Sequence, residues 1–240
     1  MQFTAIKTRA MTPPRDNLFA VLDESLPELR ERDILVVTSK VVALHEGRSV
    51  PIGSIEKDEL IRREADRLVP RELRPLRRGV LTIKGHTLVT SAGVDESNGN
   101  GHYILWPENP SGSAREIWQY LMEKHGIAEL GVVITDSHNV PLRGGALGVA
   151  IGFWGFEPVI KHRGRTDIFG RTIRSERTNV PDALAAGAVL AMGEVNEQTP
   201  LCLIRGIPMV SFTDDDRQDA FFFNEEDDYY ALLLNVFQKP

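Results

Sequence analysis

Apolar residues along this chain follow two patterns: short unbroken runs that end in polar clusters, and longer stretches carrying an apolar stripe. Runs of about four to eight apolar residues bounded by turn formers read as strands. Phe3 to Ile6, Asp33 to Val37, Tyr103 to Trp106, Val132 to Ile134 and Leu201 to Ile204 are of this kind. Val80 to Ile83 and Leu88 to Thr90, joined around Lys84-Gly85-His86, predict a hairpin. The striped stretches predict helices. One is capped by Asp16 or Asn17 and reaches about Arg30, with Leu18, Val21, Leu22 and Leu29 inward. Ile55 to Leu68 reads as a charged surface helix. Ser113 to His125 opens with Ser113 and Glu116 at capping-box spacing, carries Ile117, Tyr120, Leu121 and Lys124 on one face, and stops at Gly126. Pro181 suits the first turn of an alanine-rich helix that ends at Gly193. Strands and helices alternate without regular βαβ spacing, which predicts a mixed α+β fold.

Polar clusters at the ends of these elements carry the candidate chemistry. Val132-Val133-Ile134 breaks into Thr135-Asp136-Ser137-His138, and Asp136 and Ser137 are hard oxygen donors of the kind magnesium or manganese takes. Arg143 then precedes Gly144-Gly145, and Gly148 and Gly152 punctuate the next apolar segment; such glycine density marks close approach of backbone to backbone or to a ligand. A strand followed by a decorated turn is the plainer alternative. Asp95, Ser97 and Asn98 form a second polar cluster in a glycine-rich loop, where an Asx-turn is the plainer alternative. The strand at Asp33 ends in Thr38-Ser39-Lys40, two hydroxyls and a cation suited to a phosphate or simply a polar strand end, and His45-Glu46-Gly47-Arg48 closes the following segment in a turn. After the alanine-rich helix, a loop opening at Met192 places Glu194, Asn196 and Glu197 beside the strand Leu201 to Ile204. Asp95, Asp136 and Glu194 thus stand at the ends of three elements. No HExxH, CxxC, Walker A or GxGxxG motif accompanies them.

Composition narrows the picture. A chain of 240 residues can bury a real core, as one large domain or two interlocked small ones. A net charge of -6 argues against general nucleic-acid binding, which needs a basic surplus. Cys202 is the single cysteine, so no internal disulfide framework exists and a reducing compartment is expected. No signal-like N-terminus or membrane-length apolar run is present, and a cytoplasmic protein is expected. Lys161 to Arg177 is a basic segment, either a charge-balanced surface or an arm for an anionic substrate. The segment after Phe212 is acidic and reads as an exposed tail.

The segments DILVVTSKVV, AGVDESN, GVVITDSH followed by PLRGGALGVAIG, RGRTDIFGR, and LAMGE followed by TPLCLIRG occur in that order between Phe3 and Phe212. Together they resemble the coenzyme F420-0:L-glutamate ligases. The resemblance implies two interlocked subdomains over residues 1–212, with 213–240 as an acidic C-terminal tail or helix, and an intertwined homodimer with the site near the subunit boundary. It implies a GTP-dependent amide ligase that adds L-glutamate to a deazaflavin precursor through an acyl phosphate, using two divalent metals (magnesium or manganese) and optionally a monovalent cation. Carried over by position, Asp95 and Asp136 are catalytic and metal-holding; Ser137, where the family usually has threonine, and Glu194 complete the metal set. Ser39, Lys40, Asn98 and the loop Met192, Gly193, Glu194, Val195, Asn196, Glu197, Gln198, Thr199 match nucleotide-contacting positions. Charge suggests Arg143, Arg163 and Arg165 as anion clamps. Leu44 stands where a nucleotide-contacting lysine is expected, and Arg9-Ala10-Met11-Thr12 replaces a GLP segment. Two alternatives stay open: the same ligase chemistry on another acceptor such as a folate, or a silent nucleotide-binding homologue.

Overall fold

The computed structural model describes residues 1–73, 79–223 and 225–240. In chain order the elements are β1 (Gln2–Ile6), α1 (Leu18–Ser25), β2 (Asp33–Thr38), α2 (Ser39–Glu46), β3 (Ser49–Pro51), α3 (Lys57–Glu64) and β4 (Arg67–Leu68). Then follow β5 (Leu81–Lys84), β6 (Thr87–Thr90), β7 (His102–Ile104), α4 (Pro110–His125), β8 (Leu130–Asn139) and β9 (Ala146–Trp154). The chain continues through β10 (Val159–Lys161), β11 (Arg177–Asn179), α5 (Val180–Met192), β12 (Leu201–Arg205), α6 (Gln218–Phe221) and α7 (Ala231–Leu234). The mixed α+β architecture expected from the sequence is what is found.

A five-stranded sheet in the order β1-β12-β2-β8-β9 forms the centre. β2 and β8 run parallel, and the other neighbours are antiparallel. Helices cover both faces, which explains why β2 is an unbroken apolar run rather than an alternating one. Leu35 and Val37 join Leu18, Leu22, Ile117 and Leu121 in one core, while Ile34 and Val36 join Leu184, Ala185 and Ala188 in the other. The two glycines in β9 serve those layers. A Cβ on Gly148 would lie 2.4 Å from the Ala185 carbonyl oxygen of α5, and one on Gly152 would lie 2.5 Å from the Pro110 carbonyl carbon of α4. Smaller sheets, β4-β5-β6 and β3-β7, pack with α3 around Leu60, Ile61, Val80, Val94 and Tyr103.

Several boundaries differ from the sequence expectation. α1 stops at Ser25 because Leu26 precedes Pro27 and is extended, at φ -73 and ψ 135. Asn17 is its cap, accepting from the Phe19 and Ala20 N–H groups. The charged helix covers only Lys57–Glu64, and Arg67–Leu68 pairs with β5 as a strand. α4 begins at Pro110 under the Asn109 cap, so Ser113 sits inside the helix and bonds the Asn109 carbonyl and Glu46 instead of capping. β8 does not end at Ile134 but runs on through Thr135-Asp136-Ser137 to Asn139. β2 ends at Thr38 rather than Lys40, because Ser39 opens α2 directly.

The end of the chain returns to the body. Phe237 is buried with Val69 and Ile83, Gln238 pairs with Leu68, and Arg67 ion-pairs with Glu225. The acidic side chains from Glu225 to Asp227 remain exposed. Among the described residues no helix is long and apolar enough to cross a membrane.

The Gly152 contact is with backbone, which cannot step aside. Gly152→Ala should therefore lower unfolding stability by about 1–3 kcal/mol through overpacking, read as a lower urea midpoint at unchanged slope.

Candidate active site

The parallel register of β2 and β8 ends with Thr38 opposite Thr135. Ser39 and Lys40 at the start of α2 therefore lie beside Asp136 and Ser137, although the sequence separates them widely. A step in the β8–β9 register between Ile134 and Thr135 leaves Ile151 as an extra residue on β9. Such bulges re-aim side chains next to active sites. Here Asp136 follows the bulge and lines a cleft of about 810 Å³. Thr8 to Thr12, Thr38 to Val41 with Leu44, Asp95 with Ser97 and Asn98, Thr135 and Ser137, and Met192 to Pro200 also line it, so five separated segments meet there.

Lys40 Nζ lies 2.8 Å from Asp95 Oδ2, 2.7 Å from the Ser97 carbonyl oxygen and 3.0 Å from Ser97 Oγ. Ser97 returns two bonds to Asp95, from its N–H at 2.8 Å and its hydroxyl at 2.9 Å. Asp95 feels partial desolvation, which pushes its pKa up, but the Lys40 contact and the Ser97 donors prevail and hold it below the ordinary value. Asp136 is different. Burial pushes its pKa up to about 6, and the negative charge of Asp95 adds to the rise. The Trp106 indole N–H donates to Asp136 Oδ2, and the Ser137 N–H donates to Oδ1 at 2.8 Å. These two donors oppose the rise without cancelling it.

The loop after α5 is tied to the other walls. Asn98 Nδ2 donates to the Val195 carbonyl at 2.8 Å, and Glu197 accepts from the Val195 N–H at 2.9 Å. Thr8 and Gln198 exchange two bonds, of 3.1 and 2.9 Å. Thr199 Oγ1 donates to the Met192 carbonyl. Five non-glycine residues lining or adjoining the cleft hold positive φ: Ser91, Ala92, Asn98, Asn100 and Gln198. Strain of this kind persists where surrounding structure over-determines the backbone, as it does at ligand sites.

Ser39, Lys40, Asp95, Asn98, Asp136, Ser137 and the loop from Met192 to Thr199 therefore all border one cleft. Glu194 lines it without joining Asp95 and Asp136 in a tight cluster; among the described residues no three His, Cys, Asp or Glu side chains gather to hold a metal ion. Arg143 lies in the exposed β8–β9 turn and Arg163 and Arg165 in the exposed arm between β10 and β11, and none of the three lines the cleft. Leu44 is 3 % exposed and packs with Ala43 and Ile104. It stands one helical turn beyond Lys40, so the two share a face of α2. Sequence reasoning overlooked Trp106, which looked like the last apolar residue of a strand, and Thr8, whose buried side chain gave no signal.

A family model described as F420-0:Gamma-glutamyl ligase matches residues 5–206. The chain belongs to this family. It is 34% identical over 209 residues to the coenzyme F420:L-glutamate ligase of Methanopyrus kandleri, covering 81% of this chain and 82% of the relative. The enzyme of that name from Methanothermobacter thermautotrophicus is 32% identical over 207 residues, with 80% and 81% covered. That of Halorubrum lacusprofundi is 35% identical over 224 residues, with 85% of each chain covered. Membership makes this chain an amino-acid ligase.

The donor set of this γ-glutamyl ligase family member suits a divalent cation. Magnesium held with substrate phosphates asks for only one or two carboxylates, and Asp95, Asp136 and the Ser137 hydroxyl supply hard oxygens at one wall. Asp136 binds its proton more tightly folded than unfolded, so its contribution to stability is complete below about pH 4 and is lost as pH rises through about 6. A cation beside it would offset that loss. Magnesium or manganese should accordingly raise the melting temperature more at about pH 7.5 than at about pH 5, as calorimetry at both pH values will show.

Proposed function

We propose that this ligase adds L-glutamate to the carboxylate of coenzyme F420-0, using GTP and two divalent metals, by way of an acyl phosphate. Supporting this reading is the meeting, in one cleft, of the α2 N-terminus, Lys40 and the carboxylates Asp95 and Asp136. The relatives' names carry coenzyme F420 and L-glutamate, and the family description carries F420-0, which supports that choice of acceptor and amino acid.

A carboxylate and an ammonium do not condense in water. In the proposed route a carboxylate oxygen of the acceptor bonds to the γ-phosphorus of GTP as the bond to the leaving diphosphate breaks. The glutamate nitrogen, having lost a proton, then attacks the acyl carbon, and phosphate departs with the C–O bonding pair. Divalent cations, when bound, neutralise charge on the phosphoryl group in flight. Asp95, Asp136 and Ser137 would hold them, with Glu194 reaching in from the loop after α5. Lys40 and the N–H groups at the start of α2 bind the phosphates, since a helix N-terminus favours anions. Asn98 and the loop from Met192 to Thr199, which it ties in place, shape the nucleotide wall.

The intertwined homodimer, with interlocked subdomains and a site near the subunit boundary, belongs to the same reading. Leu142, Ile168 and Phe169 are 97%, 92% and 84% exposed beside Arg143, Arg163 and Arg165. Apolar side chains so placed suit a subunit interface. Closing it would bring those arginines toward an anionic acceptor.

Purified protein with L-glutamate, GTP and manganese should add one glutamyl mass to the deazaflavin precursor. Gain on tetrahydrofolate alone would replace the acceptor, and GTP binding without transfer to either would favour a silent homologue. Asp136→Asn should reduce turnover by roughly a hundredfold or more. Lys40→Met removes a charged phosphate donor and should raise the KM for GTP by about 10- to 100-fold.

A further inference from the structure

Trp106 is only 3 % exposed, and a buried indole N–H needs an acceptor. Its acceptor is a carboxylate of the active site, Asp136 Oδ2. The ring is fixed on several sides. Arg48 Nε donates to the Trp106 carbonyl at 3.0 Å, and the Lys84 ammonium stands 5.9 Å from the ring centre. Both cations ion-pair with Glu64. At the indole edge lies Gly93, where an added Cβ would fall 2.1 Å from Nε1 and 2.4 Å from Cδ1. Gly93 holds φ +71, and the chain reaches Asp95 two residues later.

We infer that Trp106 is a positioning residue that fixes the Asp136 carboxylate for a divalent cation shared with Asp95. The inference rests on the ligase reading above. With Oδ2 held by the indole and Oδ1 by the Ser137 N–H, the carboxylate cannot rotate freely. Ionised carboxylates accept about four bonds, so lone pairs remain for a metal. Outer-shell donors of this kind orient ligating carboxylates, and their loss costs about 10- to 100-fold in metal affinity. Packing of the indole on Gly93 also sets the path of the backbone toward Asp95. One ring thereby places both carboxylates.

Trp106→Phe keeps the aromatic packing and deletes the donor. Free manganese, counted by electron paramagnetic resonance in a titration of each protein, should show about 10- to 100-fold weaker binding than in the unaltered chain. The apparent KM for manganese in turnover should rise by a similar factor with kcat changed less. Binding within twofold of the unaltered protein, while Asp136→Asn abolishes it, overturns the role of Trp106 and leaves the ligase reading standing. If the unaltered chain binds no manganese, or Asp136→Asn binds it equally well, both fall. A measurement on the unaltered protein guards against a variant that does not fold. Manganese should change the indole emission, and an unchanged spectrum at saturation overturns the proposal.

Discussion

Because β2 and β8 pair in parallel, their C-terminal ends point to the same side of the sheet, and the geometry of the cleft follows from that constraint. Thr38 opposite Thr135 is the last rung of the register. Past it one chain turns into α2 and the other continues as a strand, so a helix N-terminus and a carboxylate-bearing strand share one wall. In open sheets with parallel strands, ligands gather beyond the carboxyl ends of those strands. The antiparallel neighbours extend the same logic, since β12 sits against β2 and is preceded by the loop that carries Glu194 to Thr199.

Electrostatics then divides the two aspartates. Asp95 is paired with a lysine and two serine donors and is held in its charged form. Asp136 sits deeper, accepts bonds from the neutral Trp106 and Ser137 donors, and feels the charges of Asp95 and, more weakly, Lys40. Two carboxylates in unequal surroundings thus form a site in which the lysine charge is directed mainly at Asp95. The Lys40–Asp95 contact is 26% and 49% exposed at its two side chains, and ion pairs of that kind stabilise by only about 0–1 kcal/mol. Little energy therefore holds Lys40 on that carboxylate.

How far the sequence revealed this depended on what each residue faces. Asp33 to Val37 was legible because both faces of β2 are buried, which forces a continuous apolar run. Asn17 was legible as a cap because its side chain acts within its own turn. Thr135 to His138 reads as a polar break after a strand, with a decorated turn as the plainer alternative, because β8 passes there from beneath the helices to the cleft and hairpin, and polarity rises without any change of backbone. The bulge at Ile151 leaves no compositional trace. The polar residue types and the resemblance picked out Asp95 and Asp136. Their proximity comes from pairing between distant segments, which local pattern cannot show. Trp106 was hidden for the converse reason, since its apolar body satisfied the strand pattern and concealed the one polar atom that matters.

Leu44 shows how a departure at one position can be read once the backbone is known. If the chain after Thr38 were extended, Lys40 and position 44 would lie far apart, and losing a lysine at 44 would remove a cation from the site. In α2 they are successive residues of one helical stripe. Leu44 instead lines the cleft wall while packing with Ala43 and Ile104, and an ammonium in its place would give up that apolar contact. Lys40, one turn nearer the N-terminus, already presents its ammonium to the oxygens of Asp95 and Ser97. The helix thus keeps one cation near its N-terminus and gives the next position on that face to the apolar part of the cleft wall.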